Sequence, residues 1–346
     1  MMSKKLGLAV VGLGMASRPH ALALQALRDR IDVIGAFART PESRQAFSEE
    51  YGFAATPDLD ALADNPRVDA LLLITPPNAR QEIVDRFARA GKHILSEKPL
   101  ERNLAGAKTI VETCDNADVR LGVVFQHRFR AASEKLAEMI QSGDLGAVRI
   151  VRANVPWWRD QAYYDEPGRG SYARDGGGVM ISQAIHTLDL MLSLSGPVIS
   201  VQALCATTPL HNMESEDVTA GAMYFANGAV GALFASTASF PGEAESLQFD
   251  FDHAAATLKS GVLTVHWRDG RAETFGGEAS GTGGGADPMA FPFDWHQSVI
   301  SDFADAISED RDPRVTGAMA LDVHRLIAAL ELSSREGRRI DMETLT

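Results

Sequence analysis

"LGLAVVGLGMAS" occupies residues 6–17, and its reading decides the fold. Residues 6 to 11 are an unbroken apolar run, Gly12 and Gly14 follow at once, and from Ser17 the chain takes on the composition of a helix. Strand, glycine turn and helix in that order make the first unit of a dinucleotide-binding fold. The turn must be tight, its backbone must approach a pyrophosphate, and a small residue must let the helix pack on the sheet. Gly12 and Gly14, with Met15 and Ala16 completing the turn, meet the first two needs; Ser17 replaces the third glycine and is still small. The glycines alone are weak evidence, and their place in the first strand-turn-helix unit carries the argument.

Working outward, the alternation continues as strand 31–39, helix 40–52, strand 68–74, helix 79–90, strand 93–96, helix 103–116 and strand 120–125. The second helix has legible ends: Thr40 caps it, Pro41 takes its first position and Gly52 stops it. Continuous apolar strands between helices predict a doubly wound parallel Rossmann sheet, covered on both faces. Near residue 145 the pattern changes. Apart from a helix around His186, the stretches 198–206, 216–226, 228–240, 245–253 and 261–270 are successive strands, which predicts an α/β domain with an open, mainly antiparallel sheet. Two helices, about 294–309 and 316–337, close the chain, and the Gly-rich stretch 276–288 reads as a mobile loop. A chain of 346 residues favours two domains, here 1–125 and 126–346.

Composition narrows the partners. The formal net charge is −13 and no Lys/Arg run stands out, which weighs against nucleic acid and leaves a small-molecule ligand as the expectation. Cys114 and Cys205 are the sole cysteines, without metal spacing, so neither a disulfide framework nor a zinc site is expected, and no metal. No apolar run reaches the roughly 20 residues of a membrane span. The apolar start is interrupted by Gly12 and Gly14 and is needed as a strand, so it is not read as a signal peptide, and the expected compartment is the cytoplasm.

The end of the second strand speaks to the cofactor. An acid there would bind the ribose hydroxyl of NAD, whereas an Arg accommodates the extra phosphate of NADP. The sequence has Ala38, Arg39 and Thr40, with no acid, so NADP(H) is favoured and NAD(H) remains possible.

Four ordered motifs carry a family resemblance: the glycine turn, "LLLITPPN" leading into "HILSEKPL", the "SGDLGAVRIV" transition, and "GGGVMISQAIHTLDLM". Together they resemble the Gfo/Idh/MocA oxidoreductases along essentially the whole chain. The resemblance implies an N-terminal Rossmann domain and a C-terminal substrate-binding domain. In such proteins the open sheet often forms an oligomer interface, so a homo-oligomer, dimer or tetramer, is expected. It also implies oxidation or reduction of sugars, cyclitols or nucleotide sugars with NAD(P). Lys98 of the E-K-P motif matches the family's catalytic lysine and His186 its catalytic histidine. The family often has Asp or Asn one turn before that histidine. Here Ser182 stands there, and on an α-helix it would share a face with His186. Thr75, Pro77, Asn78, Glu97 and Gln126, with Lys98, fall at positions expected to neighbour the cofactor. Arg80 replaces a frequent histidine and inherits no role.

Such chemistry needs hydride transfer and a group within reach of the hydroxyl proton. His186 has a fitting intrinsic pKa, and a buried Lys98 beside a cationic nicotinamide could be brought into range. The expectation is that the two share the proton work, with Ser182 bonding substrate. The glycine run 176–178 is expected to let substrate and cofactor approach the backbone. The stretch 156–178, rich in Trp, Tyr and Arg, resembles the sugar and nucleotide-sugar branch. It suits a polyhydroxylated ligand, with Trp158, Arg159, Tyr164 and Gln183 as contacts and His296 as a further candidate. His127 is read as structural, and a metal pair of His186 with Asp189 is rejected for want of further ligands. Two other readings compete. Some relatives use NAD transiently to cleave glycosidic bonds through a 3-keto sugar, and others sense ligands without catalysis. Sensors tend to lose the E-K-P lysine, which this chain keeps.

Overall fold

The computed structural model describes residues 5–277 and 292–345, so residues 278–288 of the Gly-rich stretch lie outside the described residues. The chain forms two compact units: residues up to Gln126 together with Phe293–Leu321, and His127–Pro292 together with the segment from Asp322 onward. Among the described residues no helix is long and apolar enough to cross a membrane.

The first unit is built on six strands: β1 (Leu6–Val11), β2 (Ile31–Phe37), β3 (Ala55–Thr56), β4 (Ala70–Leu73), β5 (His93–Ser96) and β6 (Leu121–Val123). All pair in parallel, in the order β3-β2-β1-β4-β5-β6. That is the dinucleotide-binding order, whose reversal lies between β1 and β4. Helices α1 (Ser17–Ala26), α2 (Pro41–Tyr51), α3 (Leu59–Ala63), α4 (Gln81–Arg89) and α5 (Leu104–Asn116) connect the strands. Every residue of β4 is buried, as a strand covered on both faces requires. The ends of α2 are as expected: Thr40 caps with its side chain, Pro41 opens and Gly52 closes in a left-handed conformation. The short β3 and α3 carried too few residues to show a period. Helix α1 stops at Ala26.

The first unit is completed from far along the chain. Helix α9 (Asp294–Ser308) packs on α1, and Arg30 on the turn after α1 bonds Ser301 and Asp305. Val123 N donates to the Val315 carbonyl at 3.1 Å, which covers the outer edge of β6.

The second unit carries helix α6 (Ala131–Ser142), strand β7 (Val148–Pro156), the short α7 (Gln161–Tyr164) and α8 (Ile185–Ser195). Then come β8 (Val198–Ala206), β9 (Val218–Phe225), β10 (Val230–Ser236), β11 (Ser246–Phe251), β12 (Ala254–Lys259), β13 (Val262–Trp267) and β14 (Ala272–Phe275). The long α10 (Gly317–Glu336) begins in the first unit, and the short β15 (Ile340–Asp341) ends the sheet. Its nine strands run β14-β13-β12-β11-β7-β10-β9-β8-β15, antiparallel except for the β7–β10 pair. Alternating burial along β7, β9 and β10 shows one face packed and the other open. Val151, Phe225, Phe249 and Phe251 lie in the packed core.

Candidate active site

In the first unit, the turn after β1 has the form a dinucleotide needs. Gly12 has φ of 104°, and a Cβ there would lie 2.7 Å from the Thr75 nitrogen, so only glycine lets β1 turn beside the end of β4. At Gly14 an added Cβ would meet nothing within 4 Å. Met15 is exposed, and Ser17 tightens the turn by donating to the Gly14 carbonyl at 2.7 Å. Helix α1 starts without a side-chain cap, and the Ser17 amide donates to the Gly14 carbonyl at 2.9 Å. At the carboxyl end of the sheet, Thr75 Oγ1 and Gln126 Oε1 are buried with no hydrogen-bond partner among the described residues. Orphaned polar atoms at the carboxyl end of the sheet, that of Thr75 next to the glycine turn, fit a polar cofactor. Arg39 is exposed beyond β2, while Arg44 is spent on the carbonyls of Ala38 and Arg39. Pro77 is buried and Asn78 exposed on the turn after β4.

The E-K-P motif sits beyond β5 in a buried polar cluster. His20 of α1 donates Nε2 to Glu97 Oε1 at 2.9 Å, and the amide of Lys98 donates to Glu97 Oε2 at 3.0 Å. Burial opposes ionisation of Glu97, but the His20 hydrogen bond and the positive charge of Lys98 hold it well below the ordinary carboxylate range. His296 of α9 lies 4.0 Å from the same oxygen, edge-on to His20. Burial and then the neighbouring His20 push His296 down to about 3, so it is neutral at pH 7. His296, a further substrate candidate in the sequence, is 2% exposed and packs beside the E-K-P glutamate and His20. Arg80, assigned nothing, proves central. Its buried guanidinium donates to the carbonyls of Thr75, Glu97 and Pro99, binding the end of β4 to the lysine loop. Burial lowers it to about 10, still charged at neutral pH.

His20, Glu97 and His296 place potential metal ligands within 4.8 Å of one another. The His20–Glu97 contact requires a proton on the nitrogen that faces the carboxylate, where a metal would need a lone pair. The cluster therefore reads as a hydrogen-bonded support.

In the second unit, the glycine run is used differently from expectation. A Cβ on Gly178 would lie 1.8 Å from the Glu216 carbonyl oxygen. Glu216 is buried, its carboxylate accepts the N–H groups of Gly178 and Met180 at 3.0 Å each, and its carbonyl accepts that of Val179 at 2.9 Å. An internal carboxylate, not a ligand, occupies the backbone surface that Gly178 opens, and it offsets the positive end of the helix. The next segment, Met180–Ala184, is wound as a π-helix before α8 begins. Its i→i+5 bonding breaks the four-residue register, so the shared face expected for Ser182 and His186 does not carry over from α-helical geometry. Ser182 is half-buried and Gln183 buried, with Gln183 Nε2 donating to the Tyr163 hydroxyl at 3.2 Å.

His186 is buried, and its ring stacks on His127, with centroids 4.9 Å apart and planes 28° from parallel. Asp189, one turn on, is fully buried in a two-pronged pair with Arg128 at 2.7 and 2.6 Å. Burial outweighs the arginine and raises Asp189 to about 6.

The aromatic stretch is mostly self-supporting. Tyr164 was expected at the substrate, yet its buried hydroxyl bonds Thr237 Oγ1 at 2.6 Å, so its polar tip is spent inside the unit. Tyr163, which the sequence did not single out, is the tyrosine that reaches Gln183. Arg159 is buried with its guanidinium over the rings of Trp157 and Tyr163. Behind it, His211 lies 2.8 Å from Asp217 and 2.9 Å from the Arg159 carbonyl, fixing the loop. Trp158 is half-buried and meets the exposed Phe240 edge to face.

Residues 6–125 match the family model described as the oxidoreductase family, NAD-binding Rossmann fold, of the GFO/IDH/MocA group, and residues 133–257 match the GFO/IDH/MocA C-terminal domain. The chain belongs to the Gfo/Idh/MocA oxidoreductase family. Among curated relatives of this family, it is 32% identical over 191 residues to myo-inositol 2-dehydrogenase of Thermotoga maritima, covering 55% of this chain and 54% of that one. The match thus spans about half the length of that relative. The fold is similar to the WlbA dehydrogenase of Bordetella pertussis, seen with NADH and UDP-GlcNAcA. The TM-score is 0.83, the identity 28%, and the match covers 98% of this chain and 99% of that one. A levoglucosan dehydrogenase with NADH and levoglucosan shares the fold, with a TM-score of 0.87, 22% identity, and 98% and 99% of the two chains covered.

Proposed function

We propose that this Gfo/Idh/MocA protein transfers hydride between NAD(P) and a secondary alcohol or ketone of a sugar, cyclitol or sugar derivative. The observation that carries the reading is Lys98, placed just past β5 and tethered through an ionised Glu97, on the unit whose open Gly14 turn and orphaned Thr75 and Gln126 oxygens suit a dinucleotide. When bound, the nicotinamide would supply the hydride acceptor or donor. The chain's own part is to hold the cofactor and move the hydroxyl proton, a task we give to Lys98 and His186. Ser182, Gln183 and Tyr163 are proposed to bond substrate hydroxyls, with Trp158 covering its C–H surface. Similarity to the inositol and nucleotide-sugar dehydrogenases supports the polyol class.

NADP(H) is the favoured cofactor, because the exposed Arg39 follows β2, where an arginine can accommodate the extra phosphate, and no acid stands there to prefer the free ribose hydroxyl. A homo-oligomer is proposed through the open sheet face, where Ile150, Tyr224 and Val230 lie opposite one another and Phe234 and Leu204 continue the apolar surface. The deciding experiment titrates NADPH and NADH by fluorescence. It then screens inositols, aldoses and uronic acids for reduction of the oxidised form of the tighter cofactor, with Lys98→Met as the control. Turnover that Lys98→Met abolishes without loss of cofactor binding is expected. Wild-type turnover in Lys98→Met, or failure to bind either nucleotide, overturns the reading.

A further inference from the structure

His186 lacks the carboxylate or amide residue that such a histidine often has one turn earlier, and the structure shows what stands beside it. The turn Gln126–Phe129 brings His127 flat against the imidazole. That turn is fastened at two points. Arg128 grips Asp189 on α8, the helix that carries His186. Arg130 grips Glu245, just before β11, at 2.8 Å, with both side chains more than nine-tenths buried. Arg130 also contacts His127 Nε2 at 2.5 Å. A guanidinium has donors only, so the His127 nitrogen facing it must be the acceptor, which puts the ring proton of a neutral His127 on Nδ1.

We propose that His127 is the positioning residue for His186: a neutral ring, fixed by the Glu245–Arg130 pair, that holds the neighbouring imidazole by stacking where a carboxylate would hold it by charge. The inference rests on the catalytic role given to His186 above. Two stacked rings at this spacing resist tilting and sideways displacement. A neutral shelf also fixes orientation without stabilising the imidazolium, as an adjacent carboxylate would. Among the described residues, the charged groups around the pair include Arg128, Arg130, Asp189 from α8 and Glu245 ahead of β11, while Lys259 at the end of β12 lines the same pocket as His127 and pairs with Glu243 at 3.1 Å. His186 is thus tied through His127 and Arg130 to Glu245, at the entry to β11.

Two variants of similar bulk isolate the effect. His127→Phe keeps a flat ring and His127→Leu fills the space without one; both deprive Arg130 of the same acceptor, so any general loss of stability is shared and thermal melts would match. On whichever polyol the wild type turns over, Leu is expected to lower kcat about tenfold or more relative to Phe, with KM for the nucleotide unchanged. Equal kcat in the two variants overturns the proposal. Proton–nitrogen NMR of the histidine rings in the full chain gives a readout that needs no turnover. His127 protonated on Nδ1, with His186 ring signals that broaden or shift in Leu but not in Phe, is expected. His127 protonated on Nε2, or His186 signals indifferent to both changes, overturns it. If no polyol is turned over, the dehydrogenase reading fails on its own while the NMR result still decides the stacking role.

Discussion

Replacing Glu331 with glutamine should make the protein more stable at alkaline pH and leave it nearly unchanged in acid. Glu331, on α10, is half-buried, and burial, then the nearby carboxylate of Glu216, raise it from 4.5 to about 7, against a smaller pull from Arg335. Below pH 4.5 both folded and unfolded chains hold the proton and nothing is lost. Between pH 4.5 and 7 the unfolded chain has released it while the folded chain still binds it, so stability falls as pH rises. Above 7 the folded group is ionised too and the loss is complete. A displacement of that size corresponds to at most about 3 kcal/mol, and solvent screening of a half-buried group trims it to about 1–2 kcal/mol. Glutamine carries no charge at any pH and escapes the loss. Urea unfolding of wild type and Glu331→Gln at pH 4 and pH 8, followed by fluorescence, measures it. An equal difference between the two proteins at both pH values, or a less stable glutamine variant at pH 8, would refute the reasoning.

Three further outcomes follow from the same geometry. Gly178→Ala should cost about 1–3 kcal/mol or more, because its Cβ collides with the Glu216 backbone, and should show as a lowered melting temperature. Arg128→Met strands the fully buried Asp189 and should cost about 3–5 kcal/mol, whereas adding Asp189→Leu should recover most of it; a double variant no better than the single one would count against the pair. Arg39→Ser should weaken NADPH binding by fluorescence titration and leave NADH little changed, and parallel loss of both would take Arg39 out of phosphate recognition.

The first unit was largely legible because its signals are local. An apolar strand, a glycine turn and the start of a helix lie within a dozen residues, the ends of α2 are marked by Thr40, Pro41 and Gly52, and the doubly wound parallel sheet and the bounds of α2 were read from these. In the candidate site the sequence singles out residues that a motif marks, such as Lys98 and His186. Arg80, His127 and Glu216 were not legible, because their roles depend on partners far along the chain: Arg80 on carbonyls 17 and 19 residues away, Glu216 on amides 36 and 38 away. The π-wound segment was misread as plain helix because a single-sequence pattern assumes one winding throughout. His296 and Tyr164 were both named as substrate candidates, and both are buried, His296 beside Glu97 and Tyr164 with its hydroxyl on Thr237, partners that lie too far along the chain for a sequence pattern to show.

The return of Phe293–Leu321 to the first unit has a consequence for biosynthesis. Chains emerge from the ribosome N-terminus first, at about 5–20 residues per second. The nucleotide-binding sheet is therefore finished long before α9, His296 and the strand-edge partner Val315 exist. Until then α1 lacks the helix that packs on it, and β6 presents an open edge. A nascent chain paused anywhere between residues 127 and 292 should thus be protease-sensitive in its first hundred residues, and should gain protection there only when its last helices are released.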